Sequence, residues 1–173
     1  MFLSPAQIVE SLNLKKGDTV ADFGCGSGAY VFAISKLIGD RGKVYAVDIH
    51  AEILDKINRE AEKMNIVNID TILADIEEKI QIENSSCNAI ILSNILSDIK
   101  DFNTLFSEIK RILKPGGFLI VVDWKESDHP LYTKRINTIT EENLTAILAL
   151  NNFYIKKHLP AGLYHYAFLV EQK

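Results

Sequence analysis

Residues 20–30 read VADFGCGSGAY, an apolar run carrying Asp22 and followed by glycines at 24, 26 and 28. A chain that gives up three side chains within five residues lets a ligand approach its backbone N–H groups. Two more acids stand at comparable places. Asp48 closes the apolar run KVYAVD, 20 positions beyond Gly28, and Asp75 follows NIDTILA within the segment LADI. An acid ending the strand after a glycine turn can accept hydrogen bonds from both hydroxyls of a ribose. A carboxylate past a third strand can take an adenine amino group, with the N–H of Ile76 reaching ring nitrogen N1. The chemistry implied is recognition of an adenosine-containing ligand. The plain alternatives are a ligand-free turn, an Asp48 that caps the next helix and a solvated Asp75.

Candidates for proton transfer are few. Asp123 ends the run FLIVVDW and His129 sits in SDHPLY, and each reads equally as a structural or solvated group. Trp124, the only tryptophan, opens the stretch WKESDHPLYTKR. With Lys125, His129, Tyr132, Lys134 and Arg135 it offers aromatic surface and positive charge to a planar or anionic acceptor, unless Trp124 only covers the sheet end. Cys25 beside the glycines reads as a small side chain rather than a reactive thiol. No His, Cys and carboxylate residues share a metal-ligand spacing, so no metal is expected.

The elements that must position these residues follow from hydrophobic period. SPAQIVESLNL opens a helix with Ser4 as N-cap, Pro5 at the first position and Gln7 completing a capping box, its apolar face Ile8, Val9 and Leu12. TVADF (19–23) is a short buried strand, GAYVFAISKLIG a helix stopped by Gly39, and KVYAVD (43–48) a strand. A helix over 51–64 places Ala51, Leu54, Ile57, Ala61 and Met64 on one face. NIDTILA (68–74) and CNAIILS (87–93) are strands, and Asp101 caps a helix through Leu113 that buries Phe102, Leu105, Ile109 and Ile112. KPGG stops that helix and launches FLIVVDW (118–124). Nearly all-apolar strands alternating with helices mean a parallel sheet covered on both faces. After a helix around 140–150, FYIKKHL and YHYAFLVEQ are separated only by a PAG turn region. They must pair antiparallel, because a parallel pair needs a crossover of a dozen or more residues. His165 and Tyr166 then face opposite layers, and Tyr30 packs in the helix after the glycines.

GCGSGA fits the G-x-G-x-x-G/A of dinucleotide sites, through Gly24, Gly26 and Ala29, and equally the G-x-G-x-G of S-adenosylmethionine (SAM) sites. Asp75 and the closing hairpin favour the second, since a second mononucleotide-binding half would not end on an antiparallel strand. At these residues the chain resembles the class I SAM-dependent methyltransferases. VADFGCGSG looks like their glycine-rich motif, VYAVDI their ribose-binding acid, LADI their adenine pocket, and RILKPGGFLIVVD their motif through strand five. Within the class it is similar to the methyltransferase type 11 and ubiquinone/menaquinone C-methyltransferase group. The resemblance implies an α/β, Rossmann-like three-layer sandwich, with a mostly parallel seven-stranded sheet and one antiparallel strand inserted near the C-terminus. It also implies SAM as cofactor, with S-adenosylhomocysteine as product. Asp22 would then orient the loop and approach the methionine amino group, and Gly24, Gly26 and Gly28, with Cys25 and Ser27 between them, would let the backbone contact the ligand. Asp48 would hold the ribose and Ile49 pack on adenine. Asp75 and Ile76 would read the adenine edge, and Ser93 would lie near the methionine moiety. An NAD(P)- or flavin-dependent oxidoreductase and a SAM-binding module without catalysis are the alternatives.

Composition sets the outer limits. With 173 residues, 47% apolar and 24% charged, the chain reads as one enzyme domain spanning 1–173. No apolar run nears the ~20 residues of a membrane helix, and no basic-then-apolar start marks a signal peptide. Two cysteines without a disulfide framework fit a reducing, cytoplasmic compartment. A net charge of −4 with scattered lysines disfavours a long nucleic-acid footprint. A small-molecule acceptor is therefore expected, with nucleic acid or protein left open. Only about four residues precede the first helix, so the site is open, covered by a second subunit in a homodimer, or suited to a large acceptor.

Overall fold

The computed structural model describes residues 4–125 and 138–173. The chain opens with α1 (Pro5–Glu10), where the Ser4 hydroxyl accepts from the Gln7 N–H at 3.4 Å. There follow β1 (Thr19–Phe23), α2 (Ala29–Ile38), β2 (Lys43–Asp48), α3 (Ala51–Lys63), β3 (Ile69–Leu73) and β4 (Cys87–Ser93). A short 3-10 turn, Leu96–Asp98, leads into α4 (Phe102–Ile112) and β5 (Leu113–Trp124). The chain closes with α5 (Glu141–Leu150), β6 (Phe153–His158) and β7 (His165–Gln172).

The seven strands form one sheet in the order β3-β2-β1-β4-β5-β7-β6. β1 to β5 are mutually parallel, while β7 runs antiparallel to both β5 and β6. β7 is thus the single reversed strand, inserted between β5 and the edge. Strand order reverses between β1 and β4, and their carboxyl ends open the crevice where sheets of this kind take ligands.

Alternation along β1 divides the core. Ala21 and Phe23 face a layer built from α4 and α5, with Leu105, Phe106, Ile109 and Leu148 in it. Val20 faces the layer of α1, α2 and α3, with Ile8, Val31, Ile34 and Ile57. Asp22 falls on the Val20 side, opposite Ala46 of β2 and Ile91 of β4. An acid therefore sits in an otherwise apolar face at the sheet's centre.

Expectations on three elements are corrected. β5 begins at Leu113 rather than Phe118, because a step of two residues on β4 (Cys87 to Ala89) spans five on β5 (Leu113 to Phe118). The extra residues are taken up at Lys114–Gly117, where Gly116 has φ +77°, so KPGG is a bulge within the ladder rather than its start. On α3, Leu54, Ile57 and Ala61 are buried but Met64 is 56% exposed, and Ala51 at the other end is exposed too. Met64 is the cap residue, where the helix has already left the sheet. On α4, Phe106 is fully buried and Phe102 only partly so. Asp101 caps that helix by accepting from the N–H groups of Asn103 (2.9 Å) and Thr104 (3.1 Å).

Candidate active site

The glycine turn is held from beneath by β2. Gly24 and Cys25 donate their N–H groups to the Val47 carbonyl at 2.8 and 3.0 Å, and Gly26 donates to Asp48 Oδ2 at 3.1 Å. Three N–H groups that the sequence offered to a ligand are thus engaged within the protein. What the missing side chains provide is shape. Gly24 has φ +70°, and a Cβ there would stand 2.8 Å from Ile95 Cγ2. Gly28 has a different reason to be glycine: it is the left-handed N-cap of α2 (φ +77°), and a Cβ would press on Phe32 and Ile57 at 3.0–3.2 Å. It packs α2 against α3.

Above the turn lies a cavity of about 550 Å³, within the range of small-molecule sites. β1 and its loop contribute Asp22, Gly24, Cys25, Gly26 and Ser27. β2 contributes Asp48 and Ile49, the segment after β3 Asp75 and Ile76, and β4 Ser93. Four strand ends therefore converge on one space. Gly28 is not among its walls.

Each acid has a distinct setting. Asp48 is buried, and its Oδ1 accepts from the His50 N–H at 3.1 Å with the His50 ring Nδ1 at 3.0 Å. Asp75 is exposed, and its Oδ1 accepts from the Glu77 N–H at 2.9 Å. Asp22 is 1% exposed and its Oδ1 has no hydrogen-bond partner among the described residues. Burial, with the nearby Asp48 charge as a smaller cause, pushes the Asp22 carboxyl up from 3.8 to about 7. An orphaned buried carboxylate beside a second acid is costly unless a cation or strong donor arrives. The donor set fits SAM: an ammonium for Asp22, ribose hydroxyls for Asp48 and an adenine amine for Asp75 are all hydrogen-bond donors. A pyrophosphate over the same turn would instead meet two buried acids.

Burial pushes the Cys25 thiol up, reinforced by Asp22 and Asp48, so it stays protonated and serves as a small apolar side chain. Burial also raises the Tyr30 phenol, whose buried hydroxyl has no hydrogen-bond partner among the described residues. Tyr30 lines the cavity from the first turn of α2 as a neutral donor. Asn94 is a further wall that the sequence reading missed; it has φ +58°, and its buried Oδ1 has no partner among the described residues. Its signal was position, directly after Ser93. Pro5, from α1, reaches the cavity through tertiary packing that no local pattern encodes.

The other candidates lie elsewhere. Asp123 is buried with Oδ2 accepting from the Leu96 N–H (3.0 Å) and Oδ1 from the Trp124 N–H (2.7 Å), and it does not line the cavity. Its hydrogen bonds make it an anchor for the 3-10 turn after β4. Trp124 lies against His165 with ring centroids 3.9 Å apart, away from the cavity walls. His129, Tyr132, Lys134 and Arg135 lie outside the described residues. Among the described residues no cluster of three His, Cys, Asp or Glu could hold a metal, and no helix is long and apolar enough to cross a membrane.

Known proteins give the same picture. The model of a methyltransferase domain family matches residues 14–166. A demethylmenaquinone methyltransferase of Staphylococcus saprophyticus is 24% identical over 126 residues, 73% of this chain and 53% of that one, so the chain spans about half the length of that relative. A crystal structure of a SAM-dependent methyltransferase from Aquifex aeolicus superposes with a TM-score of 0.90 at 24% identity, covering 98% of this chain and 89% of that one. Geranyl diphosphate C-methyltransferase from Streptomyces coelicolor, solved with S-adenosylhomocysteine, superposes at 0.77 and 17% identity, covering 97% and 77%. With a matching family model over most of its length and the reversed β7 of the fold in place, the chain belongs to the methyltransferase domain family, of the class I SAM-dependent kind.

Proposed function

We propose that this chain transfers the methyl group of SAM to a small-molecule acceptor, and that residues 1–173 act as one catalytic domain. The observation that carries the reading is Asp22, a buried carboxylate whose Oδ1 has no partner among the described residues, facing a cavity beside Asp48. Asp22 would receive the ammonium group, Asp48 the ribose hydroxyls, Asp75 and the Ile76 N–H the adenine edge, and Ile49 would cover the ring face. Ser93 and the Gly24 backbone would border the methionine moiety.

When bound, SAM supplies a methyl group on a sulfonium whose departure as a thioether makes displacement favourable without a protein nucleophile. What the chain supplies is alignment, and fixing two reactants in line accounts for roughly 7–11 kcal/mol of barrier. Tyr30 and Cys25 stay protonated, so neither is the base. Asp123 is committed to backbone N–H groups. None of these three is therefore assigned as a base, and an acceptor that arrives nucleophilic needs none. A cavity of about 550 Å³ suits a small acceptor beside the cofactor. The quinone-type substrate in the name of the staphylococcal relative is of that class.

Calorimetric titration with S-adenosylhomocysteine and with NADH tests the reading. Binding of the first and not the second is expected; the reverse would return the chain to the oxidoreductases.

A further inference from the structure

The segment LADIEE carries two adjacent glutamates that the sequence does not distinguish. The structure separates them. Glu78 is exposed and its side chain makes no hydrogen bond or ion pair among the described residues. Glu77 lines the cavity, and a single oxygen of its carboxylate, Oε2, accepts from two backbone N–H groups, that of Lys100 at 2.9 Å and that of Asp101. Its own N–H donates to Asp75 Oδ1. A continuous hydrogen-bonded chain therefore runs from Asp75 through Glu77 to the residues just before α4.

These two stretches belong to different crossovers. Asp75–Glu77 follow β3, and Asp98–Lys100 follow β4; both are walls of the same cavity. Among the described residues no other side chain hydrogen-bonds one stretch to the other. Asp101 cannot replace Glu77, because its carboxylate already holds Asn103 and Thr104 at the start of α4. Without Glu77, two N–H groups next to a helix N-terminus would lose their acceptor, and the segment carrying Asp75 would keep its ties to Asp48 through the Ala74 N–H and to Glu108 and Arg111 through Ile80, but none, among the described residues, to the stretch after β4. Charge-assisted hydrogen bonds to a carboxylate are about twice as strong as neutral ones, and the positive end of α4 adds to them.

We propose that Glu77 is a positioning residue, a latch that spans the cavity rim and holds the Asp75–Ile76 edge in the geometry that reads the adenine. The proposal rests on the placement of adenine against Asp75 and Ile76. Its effect is confined to the adenosine half of the ligand, which separates it from a general staple of the fold.

The test uses the full chain and two ligands, S-adenosylhomocysteine and adenosine, titrated into wild type, Glu77→Ala, Glu77→Gln, Glu78→Ala and Asp22→Asn. Glu77→Ala should weaken both ligands by the same factor, about 10-fold or more. Glu77→Gln keeps an acceptor oxygen without the charge and should fall between Glu77→Ala and wild type. Glu78→Ala should bind as wild type. Asp22→Asn should weaken S-adenosylhomocysteine alone. Wild-type adenosine affinity in both Glu77 variants overturns the latch, as does a loss of melting temperature with affinity intact. If the wild-type chain binds neither ligand, the cofactor reading itself falls and the latch falls with it.

Discussion

Replacing Asp22 by Asn should make the ligand-free protein more stable while ruining its site. In the unfolded chain this carboxyl titrates at its ordinary 3.8, and in the folded chain at about 7. Between those values the folded state holds a proton that the unfolded state has released, so stability falls as pH rises through this window and the loss is complete above pH 7. At 1.36 kcal/mol per unit, a shift from 3.8 to about 7 corresponds to about 4 kcal/mol as an upper bound. Asn is neutral and nearly isosteric, so Asp22→Asn should recover much of that, raising the melting temperature at pH 8 by several degrees and leaving it little changed at pH 4. Binding follows the opposite sign. A ligand ammonium favours the ionised carboxylate, so S-adenosylhomocysteine affinity should climb about tenfold per pH unit below 7 and level off above it. At pH 5.5 it should be about thirty-fold weaker than at the plateau. The assay is a melting series from pH 4 to 8 beside calorimetric titrations at the same values. A wild-type stability flat across that range, or an Asp22→Asn protein that melts no higher at pH 8, would refute the reasoning.

Asp48→Ala removes the acceptor of the Gly26 N–H as well as the proposed ribose contact. It should cost about 2–5 kcal/mol of ligand binding, read by titration as a roughly 30- to 4,000-fold weaker dissociation constant. Gly24→Ala forces a non-glycine residue to φ +70° with its Cβ 2.8 Å from Ile95 Cγ2. About 1–3 kcal/mol of stability should be lost in a denaturant titration, together with most ligand binding. Burial holds the Cys25 thiol up and the Cys87 thiol at about 11, so neither should be alkylated in the folded protein at pH 7.5. Mass spectrometry after iodoacetamide should show the unmodified chain, with both thiols labelled once it is denatured.

The sequence and the structure agree most closely where one face of an element meets one layer. TVADF, KVYAVD and CNAIILS are strands with the expected bounds, because a run buried on both sides ends where polar turn residues begin. The antiparallel closure followed from a PAG linker too short for a crossover. KPGG read as punctuation, yet a bulge let β5 continue through it. That depends on β4 as neighbour, which no local signal reports. Gly28 matched a glycine motif for a reason that lies in α3, through Ile57. Likewise the choice of Glu77 over Glu78 is made by N–H groups 23 and 24 residues away. The three acids were legible because each lies within two residues of a strand's carboxyl end. Their differing environments were not, since burial and an orphaned oxygen are properties of packing.

The most direct measurement is a crystal structure of the chain with S-adenosylhomocysteine. The account predicts its amino group against Asp22, its ribose hydroxyls on Asp48 and its adenine amine at Asp75, in the cavity above Gly24. Density for the ligand in any other place, or the same cavity closed over Asp22 by the chain itself, would contradict it.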